Sequence, residues 1–387
     1  MDADKKQQLL GGLSSQQFLA DYWQKKPLLI RQAFPNFDSP ISPEELAGLS
    51  CDTDAPARIL VEKGLGQAWK TLYSPFDEES FAELPETHWT LLVNDVERYY
   101  PELRDKIIEP FRFLPDWRID DLMISFAVQG GSVGPHTDEY DVFLIQAQGQ
   151  RHWQIADYPI DESDLIANID LRILKSIEPE QEWTLNAGDM LYLPPNIIHN
   201  GVAVNDCMTF SVGFRAPQQQ ELLSSYFDSC LEQLPKTARY SDPQRRVQAY
   251  SGEIDQKSLE ELVQMLHSGL NNNPSFMQQC IGRYLTQSKG ESSLVSPDDV
   301  QEHYIAGQDY QRLPESRFAY TVDADKINFF ANGSSRIYSV NFIESAKFLC
   351  KYYSYKENQL SHLMQNSEFS ACFTWLLKNK AIFSLTG

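Results

Sequence analysis

The chain has 387 residues and a formal net charge of −21, from 54 acidic and 33 basic side chains. This length exceeds what one hydrophobic core usually organises, so two or three domains are expected. Hydrophobic residues make up 42% and aromatic residues 12%, which excludes a disordered chain. Because a negative field repels phosphate backbones, a basic protein or peptide is a better candidate partner than a nucleic acid.

The expected cellular location and the distribution of charge along the chain narrow the range of partners further. The first residues lack the pattern of a secretory signal, and no apolar run approaches the length of a membrane helix, so we expect a cytoplasmic protein without membrane association. Residues 1–275 hold 43 acidic and 22 basic side chains, whereas residues 276–387 hold 11 of each. A cationic partner should therefore meet the first part, and the balanced second part argues against direct DNA binding.

The first 216 residues are expected to form one mostly β domain. Residues 14–22 predict a short helix and residues 27–30 a strand. Between Leu122 and Phe214, six short apolar runs are separated by Gly, Pro, Asn and Asp, with no helix of crossover length between most of them. This pattern predicts a double-layered or closed antiparallel sheet, as in a jelly roll or cupin barrel.

Residues 217–275 are expected to be helical. Two apolar stripes recur at helical spacing, and they comprise Leu222, Leu223, Tyr226, Phe227, Cys230, Leu231 and Leu234, then Leu259, Leu262, Val263 and Leu266. Such stripes pack inside their own domain in many proteins, and a stripe this wide can also join two subunits. We interpret the region as a dimerisation segment that forms a homodimer and keep internal packing as the alternative.

Residues 276–387 are expected to form a winged-helix-like α+β domain, after a linker at residues 271–275. Helical patterns cover residues 344–353 and 367–377, and a turn at residues 331–334 separates two strand-like runs. Three helices with a hairpin would suit a small winged-helix module.

Three residues of the sequence have the pattern of a metal site. His136 and Asp138 form the single His-x-Asp triplet of the sequence, and on an extended segment both side chains face the same side. His199, at the end of the run GDMLYLPPNIIH, is the candidate third ligand. Two imidazoles and one carboxylate are the facial set that non-haem Fe(II) oxygenases use. Zinc hydrolases use the same donors, so the donor set alone leaves the metal open.

Arg151 is the residue that would discriminate between these enzymes. It opens the strand-like run RHWQIA, which follows DVFLIQA through a Gln-Gly-Gln turn. An inward-facing guanidinium would grip a carboxylate through its two-pronged geometry. The alternative is a solvent-facing arginine, which is the commoner situation.

Together these motifs resemble the JmjC-type ribosomal oxygenases. The resemblance rests on the triplet at 136–138, Arg151, the block that ends at His199, the run SVGFRAP at 211–217 and the opening YWQKKPLLIR at 22–31. The run ISFAVQGGSVGPHTDEYDVFLIQ is similar to the bacterial branch of the family, the arginine hydroxylases of the sixteenth large-subunit ribosomal protein.

The resemblance covers roughly residues 18–217 and implies a double-stranded β-helix that holds Fe(II) and uses 2-oxoglutarate and O2. It implies that His136, Asp138 and His199 bind the metal and that Arg151 binds the distal carboxylate of 2-oxoglutarate. Ser125 matches a family position that lines the cosubstrate or substrate pocket. The later residues agree with the family in the order of a helical dimerisation segment and a winged-helix tail.

The substrate expectation combines resemblance with charge. An arginine in a basic ribosomal protein suits the acidic first part of the chain, and a buried guanidinium needs carboxylates or several oxygens around it. Tyr140 and Asp141, beside the metal ligands, are the candidate substrate-binding residues. A histidine target, a small-molecule cupin-type metalloenzyme and a binding module with a degenerate metal site are the alternatives. The residues do not decide between hydroxylation and demethylation.

Overall fold

The computed structural model describes residues 8–51, 54–63, 69–270, 273–288 and 302–385. The chain divides after Ala216 into two compact units. Within the described ranges, the helices all fall short of the length and apolar character needed to cross a bilayer.

The first unit is built on two antiparallel sheets. An eight-stranded sheet has the order β1-β9-β6-β11-β5-β4-β2-β3, and a three-stranded sheet has the order β10-β7-β8. The strands are β1 (Leu28–Ile30), β2 (Ala57–Val61), β3 (Lys70–Tyr73), β4 (Trp89–Val93), β5 (Ile119–Ala127), β6 (Asp141–Gln148), β7 (Gln150–Ala156), β8 (Gln181–Asn186), β9 (Met190–Leu193), β10 (Ile198–Ala203) and β11 (Cys207–Phe214). The predicted β-rich, cupin-like fold class is confirmed.

Strand β6 explains why the large sheet has two buried faces. Val142 and Leu144 pack with side chains of the small sheet, such as Trp153, while Phe143 and Ile145 lie in the main core on the other face. A strand buried on both faces needs a continuous apolar run, and DVFLIQA is such a run.

The remaining elements of the first unit cover the second face of the large sheet. They include helices α1 (Ser15–Asp21), α2 (Pro43–Ser50) and α3 (Glu78–Ala82). Ser14 begins α1 because its side chain accepts a hydrogen bond from the Gln17 amide and the Gln17 side chain accepts one from the Ser14 amide. Phe18 of α1 is fully buried against Tyr192, with ring centroids 5.0 Å apart. Helix α1 thus closes the apolar face beneath β9.

The second unit begins with helices α4 (Gln219–Gln233), α5 (Gln256–Gly269) and α6 (Pro274–Leu285). Tyr226 and Cys230 of α4 pack with Phe276 and Cys280 of α6. The rest of the two stripes is largely exposed within the chain, namely Leu223, Phe227, Leu231, Leu234, Leu259, Leu262, Val263 and Leu266. Internal packing therefore accounts for one edge of the first stripe and leaves most of both stripes uncovered.

The C-terminal part mixes sheets and helices as the winged-helix pattern predicts. Its elements are β12 (Tyr310–Arg312), β13 (Phe318–Asp323), β14 (Lys326–Ala331), β15 (Ser334–Ser339), α7 (Ile343–Lys351), β16 (Ser354–Tyr355), α8 (Glu357–Leu363), α9 (Ser367–Lys378) and β17 (Ile382–Ser384). The predicted turn joins β14 to β15 through Asn332 and Gly333, both with positive φ. The sheets are β13-β14-β15 and β16-β12-β17.

Helix α6 crosses the boundary predicted at residues 275/276. Asn273 caps α6 by accepting a hydrogen bond from the Ser275 amide, and the predicted linker partly lies outside the described residues. Gly282 of α6 lies directly against the Phe330 ring of β14. The division of the second unit into residues 217–275 and 276–387 stays a prediction.

Candidate metal and cosubstrate site

Two segments bring the three candidate ligands together. His136 and Asp138 lie in the loop between β5 and β6, and His199 lies on β10. The His136 amide donates to the His199 carbonyl at 3.0 Å, and the His199 amide donates to the His136 carbonyl at 2.9 Å. This pair of backbone hydrogen bonds fixes the loop against the strand, so the two imidazoles are neighbours independently of any ligand.

The side-chain geometry suits one metal ion. The carboxylate oxygens of Asp138 lie 3.8 Å from Nε2 of His136 and 3.6 Å from Nε2 of His199. The three candidate ligand atoms all lie within 4.8 Å of one another. At a ligand distance of about 2 Å, such a triangle fits one first-row divalent ion on one side and leaves the opposite positions open.

The ring orientation of both histidines is set by their own backbone. Nδ1 of His136 lies 2.8 Å from the Gly134 carbonyl, and Nδ1 of His199 lies 2.9 Å from the Ile197 carbonyl. A carbonyl oxygen only accepts, so each Nδ1 carries the proton and each Nε2 presents its lone pair. Burial and the neighbouring His136 lower the pKa of His199 to about 4, which keeps this imidazole neutral and ready to bind a metal.

Gly134 is required by the turn that precedes His136. Its φ is +79°, and a Cβ atom there would lie 2.4 Å from Cγ2 of Ile173. Any residue other than glycine would have a strained backbone at this φ, and its Cβ atom would clash with the Ile173 side chain. The Gly134 amide also donates to the Ser132 hydroxyl at 3.0 Å, which holds the turn in place.

Arg151 lies in the same cavity as the three ligands. Its side chain is 4% exposed, and its Nε and Nη2 groups are buried without a hydrogen-bond partner. Nη1 lies 3.5 Å from the Ser125 hydroxyl, and the guanidinium carbon lies 5.9 Å from the Trp153 ring centre. A buried guanidinium with unpaired N–H groups fits the carboxylate of a ligand, and Ser125 adds a hydroxyl beside it.

Of the two candidate substrate residues, the structure brings Tyr140 to the cavity and removes Asp141. Tyr140 lines the cavity and is 44% exposed; partial burial together with the Asp138 carboxylate raises the pKa of its hydroxyl. Asp141 is fully buried elsewhere, where it accepts hydrogen bonds from Tyr192 at 2.7 Å and Gln24 at 2.9 Å and pairs with Arg118 at 3.1 Å. Its oxygens are thus already used by the fold, and Asp141 is not among the residues that line the cavity.

The structure supplies another carboxylate in its place. Asp121 of β5 is 9% exposed, lines the cavity, and accepts a hydrogen bond from Nδ2 of Asn94 at 3.1 Å. Alternation along a strand puts Asp121, Met123 and Ser125 on one face, and all three line the cavity. The position of Ser125 on β5 was therefore a signal that could have identified Asp121 from the sequence.

The fold and the site together define a class. An antiparallel double layer with two imidazoles, one carboxylate and a buried guanidinium in one cavity is the arrangement of metal-dependent oxygenases of the cupin and JmjC type. Family models agree: a JmjC domain matches residues 106–222, a ROXA-like winged helix matches residues 264–383, and an AraC-like ligand binding domain matches residues 179–275.

Curated relatives and solved structures give the particular family. The chain is 38% identical to the ribosomal protein uL16 3-hydroxylase of Escherichia coli, and the alignment covers 82% of this chain and 83% of the relative. It is 33% identical to a probable ribosomal oxygenase of Haemophilus influenzae, and that alignment covers 85% of this chain and 83% of the relative. A crystal structure of E. coli YcfD superimposes with a TM-score of 0.79 at 32% identity, covering 96% of this chain and 98% of that one. The chain belongs to the JmjC-type ribosomal oxygenases, which confirms the family resemblance and the enzyme class read from its motifs.

Proposed function

We propose that this protein is an Fe(II)- and 2-oxoglutarate-dependent oxygenase that hydroxylates an arginine side chain of the large-subunit ribosomal protein uL16. The name of the E. coli relative supports the substrate protein. One structure of E. coli YcfD, with a TM-score of 0.75 and 32% identity, is a complex with cobalt and 2-oxoglutarate, and another is a complex with cobalt and succinic acid. Succinate is what 2-oxoglutarate becomes when it loses carbon dioxide in an oxidation.

One observation carries this proposal: the unpaired guanidinium of Arg151 shares a cavity with the three metal-ligand side chains. A zinc hydrolase or a small-molecule cupin enzyme needs no buried cation beside its metal. A cosubstrate with a distal carboxylate, by contrast, satisfies the two N–H groups and removes the free energy penalty of a buried unpaired charge.

The roles of the residues follow from their positions. His136, Asp138 and His199 would hold the iron, since the Nδ1 hydrogen bonds leave Nε2 of both imidazoles free to bind it. Arg151 and Ser125 anchor the distal carboxylate and so orient the cosubstrate. When bound, iron with 2-oxoglutarate and O2 supplies the oxidation that converts a substrate C–H bond to C–OH, with release of succinate and carbon dioxide. The buried apolar lining of Val142, Leu144 and Trp153 keeps water from the reacting carbon.

Asp121 and Tyr140 support an arginine as the target. A guanidinium that enters the cavity needs an anionic partner, and Asp121 is the cavity carboxylate beside Asp138, which is assigned to the metal. The phenolic hydroxyl of Tyr140, which lines the cavity, adds an oxygen that both donates and accepts. A neutral imidazole substrate would gain much less from the Asp121 charge.

The substrate is tested by mass spectrometry of uL16 peptides after incubation with the enzyme, Fe(II) and 2-oxoglutarate. We expect one added oxygen on an arginine and succinate in equal amount. Asp121→Asn should raise the KM for the peptide by about 10-fold or more, since a charge-assisted pair is worth about 1.5–3 kcal/mol, while the KM for 2-oxoglutarate stays the same. An oxygen on a histidine and on no arginine would contradict the assignment and leave the iron chemistry intact.

The assembly and the location belong to the same proposal. Eight large apolar side chains of the two stripes are exposed within one chain, including Phe227 at 45%, Leu231 at 64% and Leu266 at 73%. A second copy of the chain would cover them, so we infer a homodimer through residues 217–275. We infer a cytoplasmic location, where ribosomal proteins are made, and no direct DNA binding by the charge-balanced C-terminal part.

A further inference from the structure

The C-terminal unit contains a buried arginine that the proposed function does not use. Arg312, the last residue of β12, is 4% exposed. Its guanidinium carbon lies 3.7 Å from the centre of the Tyr353 ring and 4.8 Å from the centre of the Phe318 ring. Aromatic rings attract the positive charge of a guanidinium, but they provide no hydrogen-bond acceptor for the N–H groups at its edge. The polar edge of the guanidinium therefore still needs acceptors.

The described residues provide none. Nε of Arg312 is buried without a hydrogen-bond partner, and the guanidinium forms no hydrogen bond or ion pair within the described part of the chain. Removing a cation from water without a counter-charge is unfavourable, and attraction to two aromatic rings offsets only part of that cost. Arg118, which is also largely buried, differs because it bonds to a carbonyl and to the Asp141 carboxylate.

Arg151 of the catalytic unit has the same features as Arg312. Both are 4% exposed, both lie over an aromatic ring, and both have a buried Nε without a partner. In Arg151 these features fit a carboxylate ligand. The physical reason is general, because a guanidinium edge with free N–H groups matches the paired oxygens of a carboxylate or a phosphate.

We propose that Arg312 is the centre of an oxyanion-binding site in the C-terminal unit. The site takes a phosphate or a carboxylate group through the N–H edge of the guanidinium, while Tyr353 and Phe318 hold the guanidinium in place. It is independent of the iron chemistry, because the proposed function assigns no ligand to this unit.

The test uses the full chain carrying Arg151→Met, so that the carboxylate site of the catalytic unit does not respond, and two probes, inorganic phosphate and acetate, with sodium chloride at equal ionic strength as the reference. We expect phosphate, acetate or both to raise the melting temperature by about 2–4 °C over chloride at concentrations well above Kd. An effect of phosphate alone identifies a phosphate site, and an effect of acetate alone identifies a carboxylate site. Melting temperatures equal to that in chloride would overturn the proposal.

Variants of Arg312 show whether the shift in melting temperature depends on this residue. Arg312→Met should abolish the shift, and Arg312→Lys, which keeps the charge but loses the fork, should reduce it. The matched control is Arg336→Gln, since Arg336 is exposed and lies 5.4 Å from the Trp375 ring; it should keep the full shift. A full shift in Arg312→Met refutes the proposal. Should that variant not fold, NMR titration of the arginine Nε–H signals of Arg151→Met decides, because one slowly exchanging signal must still move with phosphate or acetate.

Discussion

Replacing Arg151 by Met tests the cosubstrate site most directly. The substitution keeps an unbranched, flexible stem and removes the guanidinium with its charge and N–H groups. Two buried nitrogens of Arg151 are unpaired in the structure, so a ligand carboxylate can accept two charge-assisted hydrogen bonds. Losing contacts worth about 1.5–3 kcal/mol raises the KM and the Kd for 2-oxoglutarate by about 10- to 150-fold.

The stability of the ligand-free protein should respond in the opposite sense. Arg151 is 4% exposed and lacks a counter-charge in the described chain, so replacing it with an apolar side chain removes an unfavourable burial. We therefore expect Arg151→Met to melt no lower than the unchanged protein. A role of Arg151 in the fold alone would instead lower the melting temperature and leave the affinity for 2-oxoglutarate unchanged.

The assay combines turnover with anaerobic calorimetric titration and melting of the metal-loaded protein. At a 2-oxoglutarate concentration 100 times the original Kd, the ligand should stabilise the unchanged protein by about 2.7 kcal/mol, and after a 100-fold loss of affinity by about 0.4 kcal/mol. Arg246→Met, which changes an exposed arginine of the second unit, is the matched control and should retain the larger value. Equal 2-oxoglutarate affinity in Arg151→Met and the unchanged protein would refute the assignment.

Three further predictions concern the metal, a buried acid and the assembly. His136→Ala should lose Co(II) binding, measured by its visible absorption, while far-ultraviolet circular dichroism stays native; retained binding would remove His136 from the site. Burial raises the pKa of Glu97 to about 7 from 4.5 despite the attraction of Arg104. The folded state therefore holds this proton more tightly than the unfolded state, and the free energy of unfolding falls by about 3 kcal/mol as the pH rises from 4.5 to 7. Glu97→Gln should flatten that part of the pH profile of urea unfolding, and an unchanged profile would contradict the raised pKa. Light scattering should report a dimer that Leu231→Glu converts to a monomer. A monomer of the unchanged chain at high micromolar concentration would show that the two stripes do not join two subunits.

Local patterns in the sequence were sufficient for the architecture and for selecting three side chains that the structure brings within reach of one metal ion. Short apolar runs separated by turn residues predict an antiparallel double layer because each run must bury a face, and the structure has that layer. His136 and Asp138 are two residues apart, so strand geometry alone puts them on one side. Arg151 and Ser125 were selected by resemblance, and the structure has both in the cavity with the ligands.

Partners distant in sequence were decided only by the tertiary structure. Asp141 follows the ligands directly and looks available from the sequence, yet Tyr192, Gln24 and Arg118 converge on its carboxylate from three other segments. Alternation along β5 puts Asp121 on the same face as Ser125, but that this face lines the cavity depends on the pairing of β5 with β11 and β4, and pairings between remote segments leave no local signal in one sequence. The burial of Arg312 against the distant Tyr353 is of the same kind. Spacing determines which side of a strand a residue faces, and only the packed fold determines what lies opposite.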